Sequence, residues 1–269
     1  MSVLRRAARW LLVIVVALLA LLVIEALIAI ATVPDDDYRA PSAAPRELGP
    51  RGAPSLSFVV LGDSTGAGRG APYEQGIAVG AARHLSESRR VTLTNLAVSG
   101  ARLGDVRRDQ LPEAARLRPD VVLVSAGAND VTGLTRLGSV RDHMTTIAKR
   151  LRSARCDVAI VITAAPDIGS PPRLAQPLRL VAGLNTRRLN RAFDEVVREQ
   201  RLVLAPIAKR TGRRFRADRS LFAADGFHPS AAGYAVWMPV IEAALDHALA
   251  RRVTPSPACP SATAGAGRR

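Results

Sequence analysis

Residues 57–66 read Ser57-Phe58-Val59-Val60-Leu61-Gly62-Asp63-Ser64-Thr65-Gly66. The apolar run that ends at Leu61 has the length and β-branched content of a strand buried on both faces. Gly-Asp-Ser-Thr-Gly then breaks the run as a tight turn. Such a turn lifts the Ser64 hydroxyl beyond the end of the sheet and leaves backbone N–H groups beside it. Four more runs of strand length follow, at 91–97, 121–125, 158–163 and 202–207. Longer segments with helical spacing alternate with them, at about 73–88, 104–117, 138–154 and 183–200. A last one covers about 230–250, with Ser230 as its candidate cap. Strand alternating with helix predicts parallel βαβ units, and so an α/β fold of three layers, α/β/α, around a five-stranded parallel sheet. In such sheets the ligand crevice lies beyond the carboxyl ends of the strands, which is where Ser64 sits.

The chain is 269 residues long, 48% hydrophobic and 23% charged, room for one sizeable domain with apolar sequence to spare. The surplus is N-terminal: residues 10–33 are apolar except for Glu25. About 20 apolar residues suffice to cross a bilayer as a helix. A cleavable signal sequence needs only about 7–15, and residues 10–24 followed by Ala29-Ile30-Ala31 leave that alternative open. The expectation is an uncleaved anchor, with Glu25 an isolated, tolerated carboxylate. Arg5, Arg6 and Arg9 precede the apolar segment and Asp35, Asp36 and Asp37 follow it. The basic flank should stay in the cytoplasm, with the rest of the chain outside the cytoplasmic membrane. The expected organisation is a flank and anchor over 1–33, a Pro- and Arg-rich linker over 34–54, the folded domain over 55–250, and a disordered tail over 251–269.

The formal charge is +15, carried mostly by arginines spread along the chain. No basic face interleaved with aromatics accompanies them, which argues against nucleic acid as a partner. A solvated surface with some attraction to anionic headgroups is the expectation. Two cysteines, Cys156 and Cys259, are too few for a zinc site, and outside the cytoplasm they could pair.

The turn at 62–66 admits three readings. Gly66-Ala67-Gly68-Arg69-Gly70-Ala71 has the shape of a dinucleotide fingerprint. The acidic residue that should hold a ribose, near 97–99, is missing. Gly62-Asp63-Ser64-Thr65-Gly66 fits the G-x-S-x-G elbow of α/β-hydrolases, but there several strands precede the serine, and here it follows the first. The third reading uses the rest of the chain. Val98-Ser99-Gly100-Ala101 follows the second strand, Gly127-Ala128-Asn129-Asp130 the third, and Asp225-Gly226-Phe227-His228-Pro229 precedes the last helix.

These four blocks, in this order over residues 55–250, resemble the SGNH (GDSL) hydrolase family. The resemblance implies a flavodoxin-like α/β fold and a serine esterase or lipase that works through an acyl-enzyme. Ser64 would be the nucleophile, with His228 as its base and Asp225 orienting the imidazole. The oxyanion donors would be the backbone N–H groups of Ser64 and Gly100 and the amide of Asn129. No cofactor or metal is implied. The partner is a small-molecule, lipid or glycan ester. Thr65 departs from the family's usual leucine and is expected to pack beside the elbow. Asp63 and Asp130 are expected to hydrogen-bond loops. His84, His143 and His247 fall in helical segments with no catalytic role. The long connection over 165–183, with Leu174, Leu178 and Leu180, is a candidate wall of the substrate pocket. An acyltransferase or O-deacetylase using the same residues, and a non-catalytic envelope-binding module, are the competing expectations.

Overall fold

The computed structural model describes residues 2–31 and 38–252. A helix, α1 (Ser2–Ala31), precedes everything else. Its stretch Val3–Ala29, whose most apolar 18 residues have a mean hydropathy of 3.3, is long and apolar enough to cross a membrane, and nearly all its side chains face outward.

Six strands form one mixed sheet: β1 (Arg46–Leu48), β2 (Ser55–Gly62), β3 (Arg90–Asn95), β4 (Val121–Ser125), β5 (Ala159–Ile162) and β6 (Val203–Leu204), in the order β1-β3-β2-β4-β5-β6. β2 to β6 are parallel, and β1 runs antiparallel on the β3 edge. The five parallel strands match the five expected runs. β1 is an addition from the stretch read as linker. Arg46-Glu47-Leu48 has no apolar run to announce it. It is held by edge pairing and by Glu47, which accepts from Thr92 Oγ1 at 2.9 Å and pairs with Arg90 at 3.2 Å.

The helices between strands are α2 (Ile77–Ser86), α3 (Leu103–Asp105), α4 (Leu111–Leu117), α5 (Ala128–Thr132), α6 (Leu137–Ala154), α7 (Leu178–Glu199), α8 (Ile207–Ala217) and α9 (Ala231–Arg252). β2 shows how they cover the sheet. Phe58 and Val60 pack into the layer of α2, α8 and α9, while Val59 and Leu61 pack into that of α4, α6 and α7. All four are fully buried, each worth about 1.5–3 kcal/mol of hydrophobic transfer. The stretch Phe58–Leu61 of β2 therefore reads as an apolar run with no alternation. Ser230 caps α9 as expected, its Oγ accepting from Gly233 N at 3.2 Å. The helices depart from the periodicity in several places: α2 begins at Ile77, after the expected 73, and the expected 104–117 is divided into α3, a π-helical turn (Val106–Gln110) and α4. α7 begins at Leu178, ahead of the expected 183, and α8 was not expected, because among its arginines only Ile207, Thr211, Gly212 and Phe215 face inward and just two of these are large and apolar.

Among the parallel strands the chain passes from β2 to β3 on one side and then back across to β4 on the other. The crevice at this switch point is the ligand position of doubly wound sheets. The β2 turn, the β3 end and the β4 end all open there.

Glu25 is not an isolated carboxylate. It is buried, and its Oε2 accepts from Leu178 N at 2.9 Å. Leu178 is the first residue of α7, whose N-cap Pro177 has no side-chain bond and whose first turn has no acid. A carboxylate from α1 thus satisfies an orphan N–H and faces the positive end of the helix dipole. Cys156 is disulfide-bonded; Cys259, the chain's other cysteine, lies outside the described residues, as does nearly all of the expected tail.

Candidate active site

The turn after β2 is built around a glycine. Gly62 has φ +145°, and a Cβ there would lie 1.8 Å from Ser125 O on β4. Only glycine lets the chain leave β2 so close to its neighbour. The peptide groups of Gly62 are clamped by Gln110, whose Oε1 accepts from Gly62 N and whose Nε2 donates to Gly62 O, both at 2.8 Å. Gln110 is buried at the end of a π-helical turn, Val106–Gln110. The turn is also tied internally. Asp63 Oδ1 accepts from Thr65 N (2.9 Å) and Thr65 Oγ1 (2.8 Å), and Thr65 Oγ1 contacts Ser125 Oγ at 2.7 Å. Thr65 therefore packs beside the elbow and also bonds to it. Burial pushes the Asp63 carboxyl up to about 6, while the bonds from Thr65 and the nearby His228 pull the other way.

Ser64, on this turn, meets His228 from the loop before α9. Ser64 Oγ lies 2.9 Å from His228 Nε2, and both residues are buried. His228 Nδ1 lies 2.5 Å from Asp225 Oδ2. The other carboxylate oxygen accepts from Phe227 N (2.8 Å) and His228 N (2.9 Å). Burial opposes ionisation of Asp225, but the bonds from His228 and Phe227 and the histidine's charge outweigh it and hold the carboxyl well below the usual range. An ionised carboxylate only accepts, so Nδ1 carries the ring proton. In the neutral ring Nε2 is then the acceptor and faces the Ser64 hydroxyl.

The loop carrying this pair is fastened at several points. Ala223 N donates to His228 O at 2.8 Å, and Arg173 N donates to Gly226 O at 3.1 Å, joining the loop to the 163–177 connection. Tyr234 of α9, fully buried, donates its hydroxyl to Arg69 O at 2.7 Å, while Arg69 N donates to Ser64 O at 2.9 Å. Tyr234 thus tethers the serine turn to α9.

The remaining expected residues converge on the same place. Gly100 has φ +89° and open space where a Cβ would stand, so its glycine is demanded by backbone conformation more than by crowding. Asn129, in the short α5, donates Nδ2 to Ala101 O at 3.1 Å; an amide nitrogen has a second hydrogen to offer. Among the described residues, neither Ser64 N nor Gly100 N donates to a backbone acceptor. Asp130 ties loops together, accepting from Leu103 N at 3.0 Å. Ser64, Gly100, Asn129, Asp225 and His228 all line one cleft of about 700 Å³. That is ample for an acyl chain or a small alcohol. Arg173, Leu174 and Leu178 of the 165–183 stretch line it too. His84 bonds Asp246 at 2.8 Å on the surface, away from the cleft.

Gln110, Ser125 and Tyr234 were missed by the sequence reading. Each sits in an ordinary-looking strand or helix, and only its long-range partner gives it a role.

Residues 60–236 match the GDSL-like Lipase/Acylhydrolase family. The GDSL-like esterase Rv1075c of Mycobacterium tuberculosis is 32% identical over 203 residues, which cover 74% of this chain and 64% of that protein. The chain therefore spans about 64% of that relative's length. The lipase/acylhydrolase from Enterococcus faecalis superposes with a TM-score of 0.58 at 20% identity, over 71% of this chain and 96% of the other. The psychrotrophic esterase EstA from Pseudoalteromonas sp. does so with 0.55 at 18% identity, over 72% and 99%. These two share the fold.

Proposed function

The chain belongs to the GDSL-like lipase/acylhydrolase family, and from that membership we propose that it is a serine esterase cleaving carboxylic esters through an acyl-enzyme on Ser64. The observation that carries this is the line Ser64–His228–Asp225, at 2.9 and 2.5 Å, on the wall of a cleft shared with Gly100 and Asn129. His228 Nε2 takes the hydroxyl proton as Oγ attacks the ester carbonyl. The oxyanion is met by the N–H groups of Ser64 and Gly100 and the free hydrogen of the Asn129 amide. The C–O bond breaks, and His228 passes its proton to the departing alcohol. Water then attacks the acyl-enzyme and gives its proton to His228, and Ser64 leaves reprotonated, with the carboxylic acid as product. Asp225 stays ionised throughout and stabilises the imidazolium.

The catalytic unit in this reading runs from β1 to α9, held to the cytoplasmic membrane by α1. The cluster Arg5, Arg6 and Arg9 supports an outward-facing domain. The disulfide at Cys156 supports an oxidising compartment.

Short-chain nitrophenyl esters test the chemistry. Wild-type protein turns over and labels with a fluorophosphonate, and Ser64→Ala does neither; undiminished turnover by that variant refutes the nucleophile. For topology, a reporter fused after residue 250 that is active only in the cytoplasm refutes the orientation.

A further inference from the structure

The membrane helix and the catalytic cleft are not separate. Leu22, Ala26 and Ala29 of α1 line the same cleft as Ser64 and His228. Their spacing puts them on one helix face. Facing them, Leu178, Val181 and Ala182 form the apolar wall from α7. The two helices flank an apolar channel of the cleft that Ser64 also lines. Small residues at 26 and 29 leave that channel open, and the Glu25–Leu178 bond, at 2.9 Å, holds its walls together.

Depth follows from helix geometry. The apolar segment covers residues 10–33. At 1.5 Å per residue, Leu22 to Ala29 occupies about 10 Å, so the channel wall lies in the outer half of the segment itself. The surface around the opening continues the span. Leu134 and Val181 line the cleft yet are exposed, and Leu180 and Leu184 extend the exposed apolar face along α7. An apolar rim continuous with a membrane helix is covered by the same bilayer that holds the helix.

We propose that α1 is a wall of the acyl-binding cleft as well as the anchor, and that the substrate is a bilayer-resident ester whose long acyl chain enters sideways, between α1 and α7, from the outer leaflet. This rests on the esterase reading and on α1 staying in the membrane. The carbonyl of an ester at the headgroup boundary would reach Ser64 with its chain still lying in apolar surroundings. The anchor then selects for substrates in its own membrane.

The test uses the full chain in phosphatidylcholine vesicles. Wild type and Ala26→Trp are compared on nitrophenyl palmitate and nitrophenyl butyrate. Filling the channel should lower the palmitate-to-butyrate ratio of kcat/KM by at least about tenfold, the scale on which apolar pockets discriminate chain length. An unchanged ratio overturns the proposal. A second measurement needs neither activity nor a bulky substitution. Ser64→Ala protein is photolabelled in vesicles containing a trace of phospholipid with a diazirine at the end of one acyl chain. Label should appear in the peptide covering residues 178–185; label confined to residues 2–21 overturns the proposal. Wild type inactive on both esters refutes the esterase reading, and the labelling then still decides whether the channel takes a lipid chain.

Discussion

Replacing Asp225 by Asn alters one contact and spares two. Oδ1 accepts from Phe227 N and His228 N at 2.8 and 2.9 Å, and an asparagine oxygen in that place still accepts both. The other position would now hold an NH₂ facing the Nδ1–H of His228, donor against donor. The imidazole escapes by moving its proton to Nε2. That tautomer offers Ser64 a donor where it needs an acceptor, so the base is lost while the loop keeps its shape. The same change in a serine protease triad lowers kcat about 10⁴-fold, which is about 5.4 kcal/mol at 1.36 per decade. The expectation here is a loss of about 10³–10⁴ in kcat on a short-chain ester at pH 7, with KM little changed. Fluorophosphonate labelling should slow in parallel, since it needs the same proton acceptor. Stability should fall as well. The folded-state pKa of Asp225 is depressed, so its contribution is fully present above the unfolded value of about 4 and is lost as pH falls through the folded one. The variant should therefore unfold earlier in urea at pH 7. Activity within tenfold of wild type would refute the assignment of Asp225.

Three further outcomes are expected. Asn129→Ala should reduce kcat about 10²–10³-fold with little change in KM, measured by steady-state ester hydrolysis; a pure KM effect would remove Asn129 from the oxyanion site. Gln110→Ala strands the Gly62 N–H in a buried place, at about 1–3 kcal/mol, while the Gly62 carbonyl keeps the bond from Val98 N at 3.0 Å. The urea midpoint should drop accordingly, and a midpoint at the wild-type value would contradict the clamp. Burial raises the Asp63 carboxyl to about 6 in the folded protein, from an ordinary value of 3.8. Because it is raised, the folded state binds more protons between these values, and stability falls as pH rises through that window, by at most about 3 kcal/mol. Urea midpoints from pH 4 to 7 should fall less steeply for Asp63→Asn than for wild type; parallel curves would show that Asp63 carries no such cost.

The central strands β4 and β5 were legible because they are buried on both faces and so are written almost wholly in apolar residues, while β3 showed through Val91 and Leu93 between threonines. The residues of the candidate site were legible for a related reason. Ser64, Gly100, Asn129 and the Asp225–His228 pair all sit at element ends, where the apolar pattern stops and a small set of polar types stands out. β1 and α8 carry too few apolar residues to be seen without the surfaces they pack on. Gln110, Ser125 and Tyr234 look like ordinary residues, since hydrogen bonds across 48, 60 and 165 positions leave no local trace.

Residues 10–33 mark the same boundary from the other end. Composition and length determine that they are apolar and long enough to span a bilayer as a helix, because hydrophobicity is a property of each residue added up along the chain. Glu25 within it reads as a blemish at that level. Only the tertiary structure decides that its carboxylate caps α7 and that the helix face beside it lines the cleft of Ser64. A capping bond and a shared wall are relations between distant segments, and those exist only once the chain is folded.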